Sequence, residues 1–593
     1  MLVSRTYHFD FDHPVDKLWA VVSDTPRWGE ASGFPKYQVS EQLQTDGTVK
    51  VFGKIEVAGM TIRWEEPPVN WIAERWFEQQ RIFIKGPMIS MTTVATLEDK
   101  GPASALDLEL VFETRNLVGT FLAKRMVAAF GDKVGALLDN ADHLIKAEEP
   151  DLFVSSYQPS RSSLERAAKL CEKIDASPYG HGLAAKLVDY INETQEVDLW
   201  AMRPIAIARR WNTKTLDAIE LFLQAVRSGL LESRWDVLCP RCRVSKSTTS
   251  DMGDLPQGVH CDACNIDFHS DFASNVELSF SPSPSIRGVE YGHYCRSGPG
   301  VTPHIKGQCS LPPGASRSLP LVLHAGDYRV RTLEASEEIE LTWKQERFPE
   351  IHVQNSEVKI VGDSPEAEIR MVNNGKLHRT IVIEEQSWLR DVLTAERATT
   401  MQAFRDLFSD QVLRPGDEVS IRNIAFAFTD LVGSSALFSR MGDAEAYHLV
   451  REHFSELSEI VRRNLGNIVK TAGDGIHAAF LTPDDALRAS IEMQQAMPAF
   501  NQRFDTDDVS IRVGLHSGSS ISVTLNDRLD YYGEAVNLAA RLEGLGVDGD
   551  ITMSKTFASD PAVSAMLIEY EPHEREEILK GFTRPVEIVQ IRP

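Results

Sequence analysis

Apolar positions along this chain change period several times, and the changes mark out its units. Residues 7–11 alternate as a strand, and a helix opens at Pro14, whose fixed φ suits a first helical turn. Strand-like runs follow at 48–52, 61–64, 72–76, 89–94 and 106–112. Leu117, Phe121, Met126, Phe130, Val134, Leu137, Leu138, Ala141 and Leu144 then recur mostly at three- and four-residue steps, the mark of one long helix. The pattern stays helical from 159 to 235, with a stripe of Leu221, Phe222, Val226, Leu230 and Leu231; residues 206–211 and 215–222 have helix-turn-helix character. Residues 275–385 are β-rich and punctuated by Pro, Gly and Asn. Residues 391–409 predict a further helix, with Val392, Leu393, Ala395, Met401, Phe404, Leu407 and Phe408 on its apolar side, broken by Pro415 and Gly416. From 418 to 593, strands and helices alternate.

These changes predict a multidomain α+β chain. Its units are 1–147, a helical, winged-helix-like unit at 160–235, a cysteine-bearing ribbon at 236–275, a β-rich unit at 276–385, a helical coupling segment at 386–413, and an α/β unit at 418–593. The length, 593 residues, is far beyond one core. A formal charge of -24 argues against broad nucleic-acid binding, which needs basic surface. The N-terminus has no apolar h-region, and no window approaches the ~20 apolar residues of a membrane span. A soluble, cytoplasmic protein is expected. Seven cysteines in so long a chain make no disulfide framework. Four of them, Cys239-x2-Cys242 and Cys261-x2-Cys264, have the two-knuckle spacing of one structural Zn2+. Arg241, Arg243 and Lys246 on one knuckle are balanced by Asp251, Asp254, Asp262 and Asp267 around the other. That balance favours a structural clip over nucleic-acid recognition.

Candidate chemistry lies near the C-terminus. Phe428-Thr-Asp-Leu-Val-Gly-Ser-Ser435 and Val469-Lys-Thr-Ala-Gly-Asp-Gly475 each present one aspartate at a strand end, Asp430 and Asp474. Two carboxylates at neighbouring strand tips suit divalent cations, which want hard oxygen ligands. Gly433, Ser434 and Ser435 follow Asp430 and offer backbone N–H groups to a phosphate at a helix N-terminus. Together they point to metal-dependent chemistry on a nucleotide.

Two resemblances sharpen this. In residues 1–147 a strand, a helix, antiparallel strands and a long closing helix resemble the helix-grip domain of the START and polyketide-cyclase (SRPBCC) superfamily. The resemblance implies an apolar small-molecule ligand between sheet and helix; a filled core serving as an interaction module is the other reading. Residues 418–593 resemble a class III nucleotide cyclase catalytic domain. The resemblance rests on the two segments above, Arg512-Val-Gly-Leu-His-Ser-Gly518, Tyr532-Gly-Glu-Ala-Val-Asn-Leu-Ala-Ala-Arg-Leu542 and Lys580-Gly-Phe-Thr-Arg-Pro-Val-Glu587, in family order.

This second resemblance implies a ferredoxin-like α/β fold and two Mg2+ or Mn2+ ions held by Asp430, Asp474 and the backbone of Leu431. Asn537 and Arg541, four apart in a good helix former, share a face. The resemblance gives Asn537 the ribose and Arg541 the transition-state charge. Arg512 and Lys580 match triphosphate-contacting positions. Adenylate-forming members carry Lys and Asp where this chain has Lys470 and Asp530, whereas guanylate-forming members typically carry Glu and Cys. Lysine donates to adenine N1 and aspartate accepts from the N6 amine, so ATP is the expected substrate. A guanylate or dual-specificity cyclase, and a catalytically weak ligand-sensing scaffold, are the alternatives. One copy of the domain implies a homodimer with composite sites. His477 and His516 lie within the motifs without metal-ligand spacing and are expected to be packing residues.

Overall fold

The computed structural model describes the chain except residues 33–35, 45–48, 58–59, 148–152, 154, 156, 242, 262–265, 291–297, 322, 335, 345–348, 364–367, 387–390, 410, 412, 414–418, 507–508, 526–527 and 583. In the first unit Leu2–Phe11 pairs antiparallel with Ser104–Thr114, which pairs with Met88–Asp99. Alternate residues Leu106, Leu108, Leu110 and Phe112 turn inward, as a half-buried strand requires. Across this sheet lies α1 (Leu117–Lys146), capped by Asn116, whose side chain accepts from the Gly119 backbone N–H at 2.9 Å.

The buried stripe of α1 differs from the expected one. It is Gly119, Ala123, Val127, Gly131, Val134, Leu138 and Ala141, whereas Leu117, Phe121 and Met126 are exposed. Small residues let the helix backbone approach the sheet, and their bulky neighbours turn outward. A Cβ on Gly131 would stand 2.1 Å from the Tyr7 ring, so at this point the space between helix and sheet is filled by side chain. A cavity of about 670 Å³ lies elsewhere, lined by Trp19, Arg27, Tyr190, Arg210, Lys306 and Tyr328, among others.

The sheet of the first unit does not stop at its own boundary. Asn70–Ile72 also pairs with Ile305–Leu311, which continues through Arg379–Glu385, Gly326–Thr332 and Ile339–Trp343. One sheet therefore joins strands assigned separately to 1–147 and 276–385, because backbone groups at an open edge must find partners. Gln308 reinforces the join by donating to the Val69 carbonyl at 2.6 Å.

The helical region ends in α2 (Thr215–Ser228), stopped by Gly229 in the left-handed conformation. Leu230 and Leu231 thus lie beyond the helix, and Leu231–Leu238 is the centre of a three-stranded sheet. Of the ribbon cysteines, Cys239 and Cys261 are buried together against Ile266 and Phe268; Cys242 and Cys264 lie outside the described residues. Arg241 pairs with Glu338 at 2.8 Å and Lys246 with Glu41 at 3.3 Å, so these basic side chains serve contacts within the chain.

The helix expected over 391–409 is instead two short ones, α3 (Ala395–Thr399) and α4 (Gln402–Leu407). Thr399 and Thr400 hydroxyls donate back to the Ala395 and Glu396 carbonyls, each at 2.8 Å, a local bond that competes with helix continuation.

The last unit contains β1 (Val419–Leu431), α5 (Ser434–Met441), α6 (Asp443–Arg463), β2 (Asn467–Ala472), β3 (Gly475–Phe480), α7 (Pro483–Arg503), β4 (Ile511–Leu525), β5 (Arg528–Tyr532) and α8 (Glu534–Glu543). It closes with β6 (Ile551–Ser554), β7 (His573–Glu577) and β8 (Val586–Ile591). The strand order is β2-β3-β1-β4-β6-β8-β7, with β5 on β4, and its β2-β3-β1-β4 core has the ferredoxin-like order. Ala425 and Ala427 of β1 join the core under α6 and α7, while Ile424 and Phe426 pack with Ala535 and Ala539 of α8. Among the described residues, no helix is long and apolar enough to cross a membrane.

Candidate active site

Strand geometry brings the two aspartates together. The β1–β3 ladder runs from Ala425↔Phe480 to Phe428↔His477. Two steps further on, Asp430 comes opposite Gly475, the neighbour of Asp474. A Cβ on Gly475 would lie 1.8 Å from the Thr429 carbonyl oxygen and 3.3 Å from Asp430 Cα, so the close approach requires glycine. Thr429 secures the junction by accepting from the Ile476 N–H at 3.1 Å. By the two-residue period of a strand, Asp430 points to the same side as Phe426 and Phe428, the α8 side.

Asp430 is held from across β4 by its register partner Arg512, whose Nη2 donates to Oδ2 at 2.5 Å. Arg512 Nε also lies 2.5 Å from a Glu543 carboxylate oxygen at the end of α8. Burial pushes the Glu543 carboxyl upward and the charges of Asp430 and Asp474 add to this, against the opposing pull of Arg512. Asp474 Oδ2 is buried without a hydrogen-bond partner. An unsatisfied carboxylate oxygen next to the Asp430 strand end fits a divalent cation. Beyond Asp430 the chain passes buried Leu431 to Gly433, which has φ +74° and open space around it, and α5 begins at Ser434. The Ser435 side chain lies outside the described ones.

A second pair forms between β2 and β5. Lys470 Nζ donates to Asp530 Oδ2 at 2.7 Å, and Asp530 Oδ1 accepts from the Tyr531 N–H at 2.8 Å. Asp530 is buried, while Lys470 is half exposed. Beside them His477 is buried and stacked on Phe428, with ring centroids 4.2 Å apart. Burial lowers its pKa to about 3, so it is a neutral packing residue. His516 meets Ser554 at 2.7 Å.

Asn537 and Arg541 stand on the exposed side of α8, whose Ala535, Leu538, Ala539 and Leu542 are buried. Neither side chain hydrogen bonds or pairs with another described residue in this chain. Lys580 is exposed in the turn before β8. The candidate residues therefore fall into three sets: Asp430, Asp474 and Arg512; Lys470 and Asp530; and the outward-facing Asn537 and Arg541. Sequence reasoning missed Glu543. Its signal was available, since an acid two residues past Arg541 in the same helix sits at the end nearest Asp430.

Residues 417–585 match the family model of the adenylate and guanylate cyclase catalytic domain, and residues 176–297 match a family of unknown function (DUF5939). An adenylate cyclase of Lachancea kluyveri is 31% identical over 183 residues, which cover 26% of this chain and 10% of that protein. A receptor-type guanylate cyclase of Caenorhabditis elegans is 24% identical over 217 residues, 33% of this chain and 21% of that one. The chain thus spans only a tenth to a fifth of the length of these relatives. Among solved structures, the adenylyl cyclase CyaB from P. aeruginosa is 23% identical over 30% of this chain and 96% of its own, with a TM-score of 0.27. Residues 417–585 are an adenylate/guanylate cyclase catalytic domain of class III.

Proposed function

We propose that this protein is an adenylate cyclase, converting ATP to 3′,5′-cyclic AMP and pyrophosphate in a site completed by a second copy of the chain. The observation that carries this reading is the meeting of Asp430 and the unsatisfied Asp474 carboxylate at adjacent strand ends. Two Mg2+ or Mn2+ ions held there, with help from the Leu431 backbone, would activate the 3′-hydroxyl and neutralise phosphoryl charge. Gly433 and Ser434 at the start of α5 offer N–H groups to the triphosphate. Arg512 and Lys580 add positive charge.

Lys470 and Asp530 read the adenine edge, lysine donating to N1 and aspartate accepting from N6. Their mutual 2.7 Å contact aligns the two side chains before the base arrives. Asn537 orients the ribose, and the Arg541 guanidinium offsets charge that builds on the α-phosphate. Both face outward with no partner among the described residues, which supports a homodimer in which they serve the partner's aspartates. The N-terminal units regulate the catalytic domain, and the burial of Cys239 beside Cys261 supports one structural Zn2+ in the ribbon.

Guanylate relatives make GTP the competing substrate, so the test supplies both nucleotides with Mn2+ to purified full-length protein. Cyclic AMP formation with ATP preferred is the expected result. Equal use of GTP would overturn the base assignment. No cyclic nucleotide from either, at any protein concentration, would overturn the enzyme reading.

A further inference from the structure

Residues 393–407 belong to one unit by their core and to another by their hydrogen bonds. Leu393, Ala395, Ala398, Met401, Ala403 and Phe404 are buried in the core of the helical region, where Phe404 packs edge-on against Trp235 at 5.9 Å. Polar groups of the same segment reach the catalytic domain. Gln402 Oε1 accepts from the Ile468 N–H at 2.8 Å, and the Thr400 carbonyl accepts from buried Asn467 at 2.8 Å. Arg405 Nη1 donates to the Leu529 carbonyl at 2.8 Å, with its guanidinium 5.4 Å from the centre of the Tyr531 ring. The Leu529 side chain is itself buried in the core of the helical region.

These bonds fall on two strands only, and both carry the residues assigned to the base. Ile468 is two positions before Lys470 on β2, and Leu529 is one position before Asp530 on β5. Both strands need outside support: among the described strands, β2 is the last of its sheet and β5 pairs with β4 alone. A displacement of either strand by about 1 Å would take the 2.7 Å Lys470–Asp530 contact out of register, and precise placement governs recognition.

We propose that α3 and α4 clamp the base-reading strands, with Arg405 and Gln402 as positioning residues, so that the conformation of residues 176–297 sets how well the site distinguishes adenine from guanine. This assigns a task to the region that matches the family of unknown function: it is the anchor of the clamp. The proposal rests on the base assignment made above.

The test uses full-length protein with Arg405→Ala, Arg405→Lys or Gln402→Ala. It measures affinity for α,β-methylene ATP and GTP analogues with Mn2+, KM and kcat for both nucleotides, and thermal unfolding. Arg405→Ala is expected to weaken ATP-analogue binding and raise the ATP KM about five- to tenfold, the effect of one lost hydrogen bond. The GTP values should change little, and so should kcat at saturating ATP. Arg405→Lys, which keeps one donor, should recover part of the loss, and Gln402→Ala should shift the ATP-to-GTP ratio in the same direction. Folded variants that leave the ratio unchanged, or that lose both nucleotides equally, overturn the clamp. Should Arg405→Ala fail to fold, Gln402→Ala decides alone. A wild type that binds the analogues but forms no product overturns the enzyme reading while the binding ratios still judge the clamp. A wild type that binds neither analogue overturns both.

Discussion

Glu220 of α2, 1% exposed, receives the Arg462 guanidinium of α6 at 3.0 Å, and this ion pair fastens the helical region to the catalytic domain. His181 shares the same carboxylate at 2.7 Å. The two ends of the pair are not equivalent. Arg462 is partly exposed and has Glu459 at 2.8 Å as a second partner, whereas Glu220 has no route to solvent. Arg462→Gln takes the guanidinium from a buried carboxylate that keeps His181 and should cost about 3 kcal/mol; Glu220→Gln should cost about half that. Urea unfolding of both variants checks the order, and a larger loss for Glu220→Gln would contradict it.

Base selection should be transferable. Lys470→Glu combined with Asp530→Cys presents to guanine the edge that the wild type presents to adenine. Each mismatched, desolvated polar group costs about 1–3 kcal/mol. The double variant should therefore lose at least about tenfold in kcat/KM for ATP and gain for GTP. Steady-state kinetics with both nucleotides decides; unchanged preference removes Lys470 and Asp530 from base recognition.

Arg512 occupies the space beside Asp430 that a cation would share. Removing it takes the guanidinium from both Asp430 and Glu543. Arg512→Ala should thus bind Mn2+ several-fold more tightly in the absence of nucleotide, since about 1 kcal/mol of competing attraction is lost. It should also turn over more slowly, because a cation assigned to the triphosphate is gone. Mn2+ titration by electron paramagnetic resonance reads the first effect independently of activity.

The catalytic domain was legible because its strands alternate faces cleanly and its motifs fall at strand ends, as with Asp430 and Asp474. The rest was harder to read for identifiable reasons. On α1 the core-facing residues are glycines and alanines, so a hydrophobic count placed Phe121 and Met126 inside when close packing puts them outside. Residues 391–409 have a continuous apolar side, but two adjacent threonines bond back to the helix and divide it. The pairing of Gly307 with Ile72 joins positions 235 residues apart, which no local pattern encodes. Arg405 escaped notice for a similar reason: its partner is a backbone carbonyl 124 residues away.

Acid should weaken the catalytic domain in a defined window. His453 and His477 are fully buried, and burial lowers their pKa to about 4 and about 3. In the unfolded chain both return to about 6.5. Between these values the unfolded state binds protons that the native state refuses, so stability is complete above about pH 6.5 and falls as pH drops toward 4. Each histidine contributes up to about 1.4 kcal/mol per pH unit. His477→Phe keeps a ring against Phe428 and removes one titrating group. Its unfolding free energy should fall less between pH 7 and pH 5 than that of the wild type, and an unchanged slope would exclude His477 as a source.

Composite sites make a prediction that a monomeric site cannot imitate. Asn537 and Arg541 project from α8 away from any described partner, while Asp430 and Asp474 lie at the strand ends of the same chain. If each site takes its aspartates from one copy and Arg541 from the other, Asp474→Asn alone and Arg541→Ala alone destroy both sites of a homodimer. Mixed in one dimer, the two lesions fall together in one site and leave the other intact. With random pairing of equal amounts, half the dimers are mixed and each has one working site. Activity should therefore return to about a quarter of wild type after co-expression or subunit exchange, as expected for a two-fold symmetric dimer. Arg541→Ala, acting on transition-state charge, should lower kcat by at least about 100-fold while leaving nucleotide affinity nearly unchanged, which keeps the background low. Recovery near a quarter supports sites shared between subunits. Recovery no greater than the sum of the two inactive variants places Arg541 and Asp474 in a single chain's site and rules out the homodimeric arrangement.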